Sequence, residues 1–366
     1  MSAAEKGNSG SGLRPEDAPA GSRCPRGGDL RRTSMLLKRI VLLAAALTSA
    51  AGLSAQTFDL DQFDQLFRPR LRMEGRWLPA VGLEKGPGSF EDRSALTILT
   101  FPIHSTFNVN AKLDLTADNV VELLKNGVRV RASQVMGNLR YGTRQVLFDE
   151  ALGEPRMLHT ASIGALGVSL TKKYRILFWS LNVNMSEEDR TFDRAVPRFG
   201  GVIGKMKVNG LRKQFFYGLA ASYTDGLTLP VPFIGGSAPI GKKWSFNYVL
   251  PLQASFGWKV NGATRLTVGA GLEGNRSGIS LDDRRYNLNY AGLRVFASAR
   301  HKLSKHFALR AEVGYMPRHR TAIATTGADD LLPAFQLQPG VQCMVGVNIL
   351  FGTSILDRIL DEVLKF

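Results

Sequence analysis

The stretch that most constrains the fold is WSFNYVLPLQASFGWKV, residues 244–260. Counting on from Trp244, every second residue is apolar or aromatic: Phe246, Tyr248, Leu250, Leu252, Ala254, Phe256, Trp258 and Val260. The positions between them are mostly small or polar, so one face is greasy and the other wet. A period of two belongs to a strand, because a helix with 3.6 residues per turn would spread these side chains around its circumference. The run also exceeds the ~5–6 residues usual for a strand in a water-soluble sheet. Its Trp and Tyr residues gather toward the two ends, which suits a barrel wall whose aromatic rings meet a membrane–water boundary. Taken alone, the stretch also fits a long strand of a water-soluble β-protein, and its neighbours decide the matter. Pro251 cannot donate to a ladder, so a bulge or an interruption is expected there, one that can split the run in two.

The same alternation recurs along the chain. Residues 106–116 set Phe107, Val109, Ala111, Leu113 and Leu115 against Asn108, Asn110, Lys112 and Asp114. Further strands are expected at 70–78, 94–104, 127–136, 140–148, 157–170, 174–185, 201–208, 214–224, 266–273, 286–300, 307–316 and 336–351. A kinked segment carrying three prolines is expected at 227–240. Tight turns are expected at 171–173, at Asn209-Gly210, at Gly241 to Lys243 and at Asn261-Gly262, where Gly and Asn tolerate turn geometry. Longer loops are expected at 186–198, 275–285 and 317–333. Strands joined alternately by tight turns and longer loops form an up-and-down barrel. The fold expected is therefore all-β, a closed antiparallel transmembrane β-barrel of about 12 strands (10 to 14) over residues 70–352.

Residues 1–34 are rich in Gly, Ser, Pro and charge and hold almost no large apolar residue, a composition that cannot bury a core. Met35 then opens a basic n-region (Lys38, Arg39), an apolar h-region (Ile40 to Leu47) and mostly small residues to Ala55. That order is a secretory signal peptide at 35–55, with Met35 as the expected start and 1–34 as an over-extended N-terminus. A signal anchor is the alternative, although its apolar core is short for one. Residues 56–69 are acidic and weakly amphipathic, a periplasmic or luminal N-terminal segment. The chain is strongly basic, with 47 Lys+Arg against 31 Asp+Glu. Export and the even spread of these charges argue against a nucleic-acid partner.

Near the C-terminus, Val341, Cys343, Val345, Val347, Ile349 and Phe351 alternate outward. Gly346, Ile349 and Phe351 resemble, by their spacing, the signal that outer-membrane barrels present to their assembly machinery, while Met344 stands where that signal wants a polar residue. Residues 353–366 carry Ile355, Leu356, Ile359, Leu360, Val363 and Leu364 at helical spacing, which predicts a short amphipathic helix after the barrel. With the segment APIGKKWSFNYVLPLQASFGW (238–258), its Leu250-Pro251 pair, and EVGY at 312–315, the chain resembles a family of exported bacterial outer-membrane β-barrels of unknown function. The resemblance covers roughly residues 90–351. It implies a place in a Gram-negative outer membrane, with membrane lipid and the barrel-assembly machinery as partners, and it supplies no catalytic residue. The oligomeric state is left open.

No constellation for chemistry stands out. Gly269, Gly271 and Gly274 match G-x-G-x-x-G, but no βαβ unit surrounds them and no helix follows to hold a pyrophosphate. The 5 histidines lack metal-ligand spacing. No cofactor and no enzymatic activity are expected. A wall hydrolase built on His159 and Ser162 is a third reading, behind two others. The leading one is a pore or transport-related barrel for small polar solutes, and the second is a non-conducting structural or surface-interaction barrel. Arg129, Arg131, Arg265, Arg294, Arg310, Glu273 and Glu312 are expected to line the lumen, either along a water-filled path with a weak preference for anions or as an interlocked charge network. Trp244, Tyr248, Trp258, Tyr223 and Tyr315 are expected in the aromatic girdle.

Overall fold

The computed structural model describes residues 68–111, 128–170, 176–193, 195–209, 213–224, 227–281, 284–325 and 334–352. The side chains of 107–111, 128–131, 150–151, 208–209, 213, 224, 227–229 and 325 fall outside that description. The expectations for 1–34, for the signal peptide at 35–55, for nearly all of 56–69 and for the C-terminal helix lie outside the described residues.

The strands are β1 (Arg70–Gly82), β2 (Ser89–Ala111), β3 (Val128–Phe148), β4 (Arg156–Leu170), β5 (Ile176–Glu187), β6 (Arg198–Asn209), β7 (Lys213–Thr224) and β8 (Leu227–Ile240). They continue with β9 (Trp244–Leu250), β10 (Gln253–Lys259), β11 (Thr264–Leu281), β12 (Arg284–Lys302), β13 (Phe307–Thr325), β14 (Phe335–Leu337) and β15 (Gly340–Leu350). A single helical turn, α1 (Asp149–Leu152), joins β3 to β4. Each strand pairs antiparallel with the next, and β1 closes the ring on β15 from Arg70↔Leu350 to Trp77↔Cys343. β14 pairs with β13 at 319–321 and β15 pairs with β13 at 307–316, so the two form one line of wall. The result is a closed antiparallel barrel of 14 strands.

The strand number, 14, falls at the upper edge of the expected 10 to 14, and the expected runs do not map onto the strands one to one. Residues 244–260 are not one strand but two, folded into a hairpin at the cis peptide Leu250-Pro251, with the Leu252 amide donating to Val249 O at 2.7 Å. Trp244 faces Trp258 and Phe246 faces Phe256 across it, so the alternation continues through the turn and hides the fold-back. Conversely, 94–104 and 106–111 belong to one strand, β2, interrupted by a bulge between Pro102 and His104, while 112–116 lie outside the described residues, and 128–136 and 140–148 merge into β3. The loop expected at 275–285 is mostly strand, as is the first half of 317–333. Their alternation is obscured because this part of β11 is covered on both sides, Ser277, Gly278 and Ile279 all being buried.

The lower rim holds the start of β1, the end of β15 and tight turns that side chains close. Asn261 Oδ1 accepts the Ala263 and Thr264 amides at 2.9 and 2.6 Å, and Ser304 Oγ accepts the His306 and Phe307 amides. The upper rim holds α1, the β1–β2 turn and the charged segment 188–197. The outer face is apolar: Met73, Leu99, Leu139, Ile163, Leu181, Ile203, Leu219, Phe256, Val268, Val313 and Val345 are all exposed on outward positions. An apolar outer band with a mixed interior inverts the arrangement of a water-soluble protein.

Candidate functional site

Because side chains alternate across a strand, the register fixes what enters the lumen. From the lower rim upward, β1 sends in Arg70, Arg72, Glu74 and Arg76, then Leu78 and Val81. β13 sends in Arg310 and Glu312, then Met316 and, after a bulge, His319, Thr321 and Ile323. β3, β11 and β12 repeat the order, with Arg140 and Arg144, Arg265 and Glu273, and Arg300 and Arg294 lying below Phe148, Ile279 and Tyr290. This side of the barrel therefore has charged lower layers and an apolar upper layer.

The charged layers are locked together. Arg294 Nη1 donates to Glu312 Oε1 at 2.6 Å and Arg310 Nη2 donates to Glu312 Oε2 at 2.7 Å, so one buried carboxylate serves two guanidinium groups. Arg294 Nε lies 3.6 Å from Glu273 Oε2, and Arg76 pairs with Oε1 of the same carboxylate. β1 and β11 are separated around the wall by β15, β13 and β12, so the Arg76–Glu273 pair spans the interior. Arg144 forks onto Asp92 Oδ2 at 2.9 and 2.7 Å, and Arg72 pairs with Glu74. Low dielectric strengthens each of these ion pairs, although Asp92 Oδ1, Arg144 Nη1 and Glu273 Oε2 are buried without a hydrogen bond.

Above them lies an apolar seal of Leu78, Phe90, Phe148, Leu158, Leu288, Met316 and Ile323. Phe90 of β2 stacks on Tyr290 of β12, and Phe148 meets Phe335 edge-on with centroids 5.0 Å apart. His319 Nε2 donates to Gln338 O at 2.7 Å, which leaves Nδ1 to accept from the Tyr290 hydroxyl at 3.1 Å.

The opposite half-wall differs. Apart from the upper-rim residues Arg156 and Arg198, the described inward positions of β4–β8 carry no charge. Phe178, Met206 and Phe216 pack low on this wall, and Phe178 meets Phe216 edge-on at 6.2 Å. Higher up, Thr160, Ser162, Ser180, Asn182, Asn184, Val202, Ala220 and Val231 are only half-buried, which leaves water-accessible surface along this side.

At the upper rim β11 crosses toward β5. Arg198 Nη1 donates to Arg276 O at 2.5 Å, the Ser280 amide donates to Glu188 Oε2 at 3.2 Å, and a Cβ on Gly278 would stand 3.0 Å from Ser186 O. In the same segment, the Thr191 amide donates to Asp189 Oδ1 at 3.1 Å, and this backbone hydrogen bond is the main reason that the exposed Asp189 carboxyl sits below its ordinary pKa.

Of the expected lumen residues, Arg265, Arg294, Arg310, Glu273 and Glu312 occupy inward positions. Arg129 and Arg131 belong to β3, but their side chains lie outside the description. Arg70, Arg72, Glu74, Arg76, Asp92, Arg140, Arg144 and Arg300 also point into this half of the lumen, and sequence reasoning missed them. The alternation RLRMEGR at 70–76 was the signal that could have found those on β1. The aromatic residues Trp244, Tyr248, Trp258, Tyr223 and Tyr315 all sit on outward positions, and the indoles of Trp244 and Trp258 stack at 5.5 Å beside the lower turns. His159 and Ser162, three apart on β4, face opposite sides of the sheet, and His159 Nδ1 instead meets the Tyr141 hydroxyl at 2.9 Å. Gly269, Gly271 and Gly274 lie within β11, where a Cβ on Gly269 would stand 2.6 Å from Ala254 O. This is close strand packing, without the turn and helix of a nucleotide loop.

No protein-family model matches the chain, and no curated protein matches it. Solved structures do. An outer membrane channel from Pseudomonas putida F1 is 8% identical, with a TM-score of 0.40, over 78% of this chain and 96% of that one. The transport unit of the autotransporter AIDA-I from Escherichia coli is 11% identical, with a TM-score of 0.35, over 83% and 98%. The translocator domain of the autotransporter NalP from Neisseria meningitidis is 12% identical, with a TM-score of 0.25, over 84% and 99%.

Proposed function

We propose that the protein is an outer-membrane β-barrel of a Gram-negative bacterium, exported through a cleaved signal peptide, and that it conducts small solutes without covalent chemistry. Membership of the exported barrel family resembled by residues 238–258 is part of this reading. The apolar outer band and the outward Trp and Tyr residues support the membrane assignment, because such a surface is at home in hydrocarbon and costly in water. The observation that carries the pore reading is the uncharged, half-buried inner wall of β4–β8, which leaves room for solute beside the locked charges of the other half. The charges expected to select permeants are instead largely committed to one another, so selectivity falls to the uncharged wall.

The apolar seal at the upper rim favours a second reading, a barrel that does not conduct and contacts partners through its rim segments. Planar-bilayer recording of refolded protein separates the two. Steady single-channel steps support the pore, and a silent barrel that migrates as folded on a gel removes it.

A further inference from the structure

The wall is not of even height. β9 and β10 have 7 residues each, whereas β8 has 14 and β11 has 18. β8 pairs with β9 only over Ile234–Ile240, and β10 pairs with β11 only up to Gln253↔Gly271. Among the described residues, 227–233 of β8 and 273–281 of β11 therefore have no strand partner on the sides that face each other, the last backbone bond to the hairpin being the Leu272 amide donating to Leu252 O at 2.8 Å. At ~3.3 Å per residue a 7-residue strand is about 23 Å long, and tilted by ~35–45° it rises only about 16–19 Å of the ~25 Å apolar band. The stacked Trp244–Trp258 pair marks the base of this hairpin, and the exposed Leu250 at its tip ends within the band.

Two further features treat the gap as a true edge. Pro230 and Pro232 sit on the unpaired part of β8, and proline is tolerated in a sheet where its missing amide faces an open edge. On the other side, β11 leans inward to Arg198 and Glu188, away from β8. The lumen wall behind the gap is the uncharged one, with Val231, Ala220 and Val202 in register on neighbouring strands.

We propose that the gap above the β9–β10 hairpin is a lateral portal between the lumen and the hydrocarbon of the membrane, and that it passes uncharged apolar or amphiphilic small molecules. An ion or a sugar leaving sideways would lose its hydration in lipid, whereas an apolar solute gains by the same transfer. The inference rests on the barrel spanning a membrane and deepens the pore reading by naming its solute class and its exit.

The test places bimane on Val231→Cys and, separately, on Ala220→Cys, in full-length protein carrying Cys24→Ser and Cys343→Ser, in vesicles of phosphatidylcholine with brominated acyl chains. Ser298→Cys on the locked half of the lumen is the control. The portal predicts that bimane at 231 and 220 loses most of its emission to brominated lipid while bimane at 298 keeps it. Quenching at 231 and 220 by aqueous iodide alone overturns the portal. Two positions guard against one variant failing to fold. Conductance without lipid quenching sinks the portal and keeps the pore, and lipid quenching without conductance keeps the portal and sinks the through-pore.

Discussion

Phe90 and Tyr290 stack with ring centroids 5.6 Å apart and planes 4° from parallel, although their strands are separated around the barrel by β1, β15 and β13. A ring contact made across the interior is a bolt, and removing it tests the seal directly. Phe90→Ala should cost about 3–5 kcal/mol, the range for emptying a buried aromatic site. It should also raise conductance, since the void opens in the apolar layer. Urea unfolding in lipid vesicles reads the first effect and bilayer recording the second. Unchanged conductance with lowered stability would show that the seal lies off the solute path.

Glu312 holds Arg294 and Arg310 at once. Glu312→Gln leaves one buried and one half-buried guanidinium group short of a charge and should cost about 3–5 kcal/mol, whereas combining it with Arg294→Met should recover a large part of that loss. A double-mutant cycle read by urea unfolding checks the coupling.

Two glycines should behave oppositely. A Cβ on Gly218 would overlap the carbonyl oxygen of Ile203, a backbone atom that cannot swing aside, whereas a Cβ on Gly262 meets nothing within 4 Å. Gly218→Ala should destabilise by about 1–3 kcal/mol, the usual range for overpacking. Gly262→Ala should stay within about 0.5 kcal/mol. Heat-modifiable gel migration ranks the two.

If Trp244 and Trp258 sit at the lower membrane boundary, their emission should respond to depth. In a Trp77→Phe, Trp179→Phe background, lipids brominated near the headgroup should quench more than lipids brominated near the chain end. The reverse order would move the boundary away from the hairpin base.

Much of the wall was legible because alternation is a local property. Val341 to Phe351 shows its outward face without any partner strand, and so does Phe215 to Tyr223. Strand number was harder, since Trp244↔Trp258 and Phe246↔Phe256 keep the same parity through a tight fold-back, and a folded run reads like a straight one. The lumen was legible as inward charge, but its division was not. That Arg76 meets Glu273 rather than solvent depends on how strands far apart in the ring approach one another, and no periodicity encodes it. The upper part of β11 was missed for the same reason, because crossing the interior covers both of its faces.

The half-height hairpin also decides where the closed sheet is weakest. Local opening begins where few cross-strand hydrogen bonds must break together, and, apart from the brief β13–β14 ladder that β15 continues, β9 with β10 offers the shortest ladders in the ring. Amide protons there should exchange first, while those of β12 and β13, anchored by the Glu312 network, outlast them. The barrel would then yield at one seam, with the remaining staves still upright.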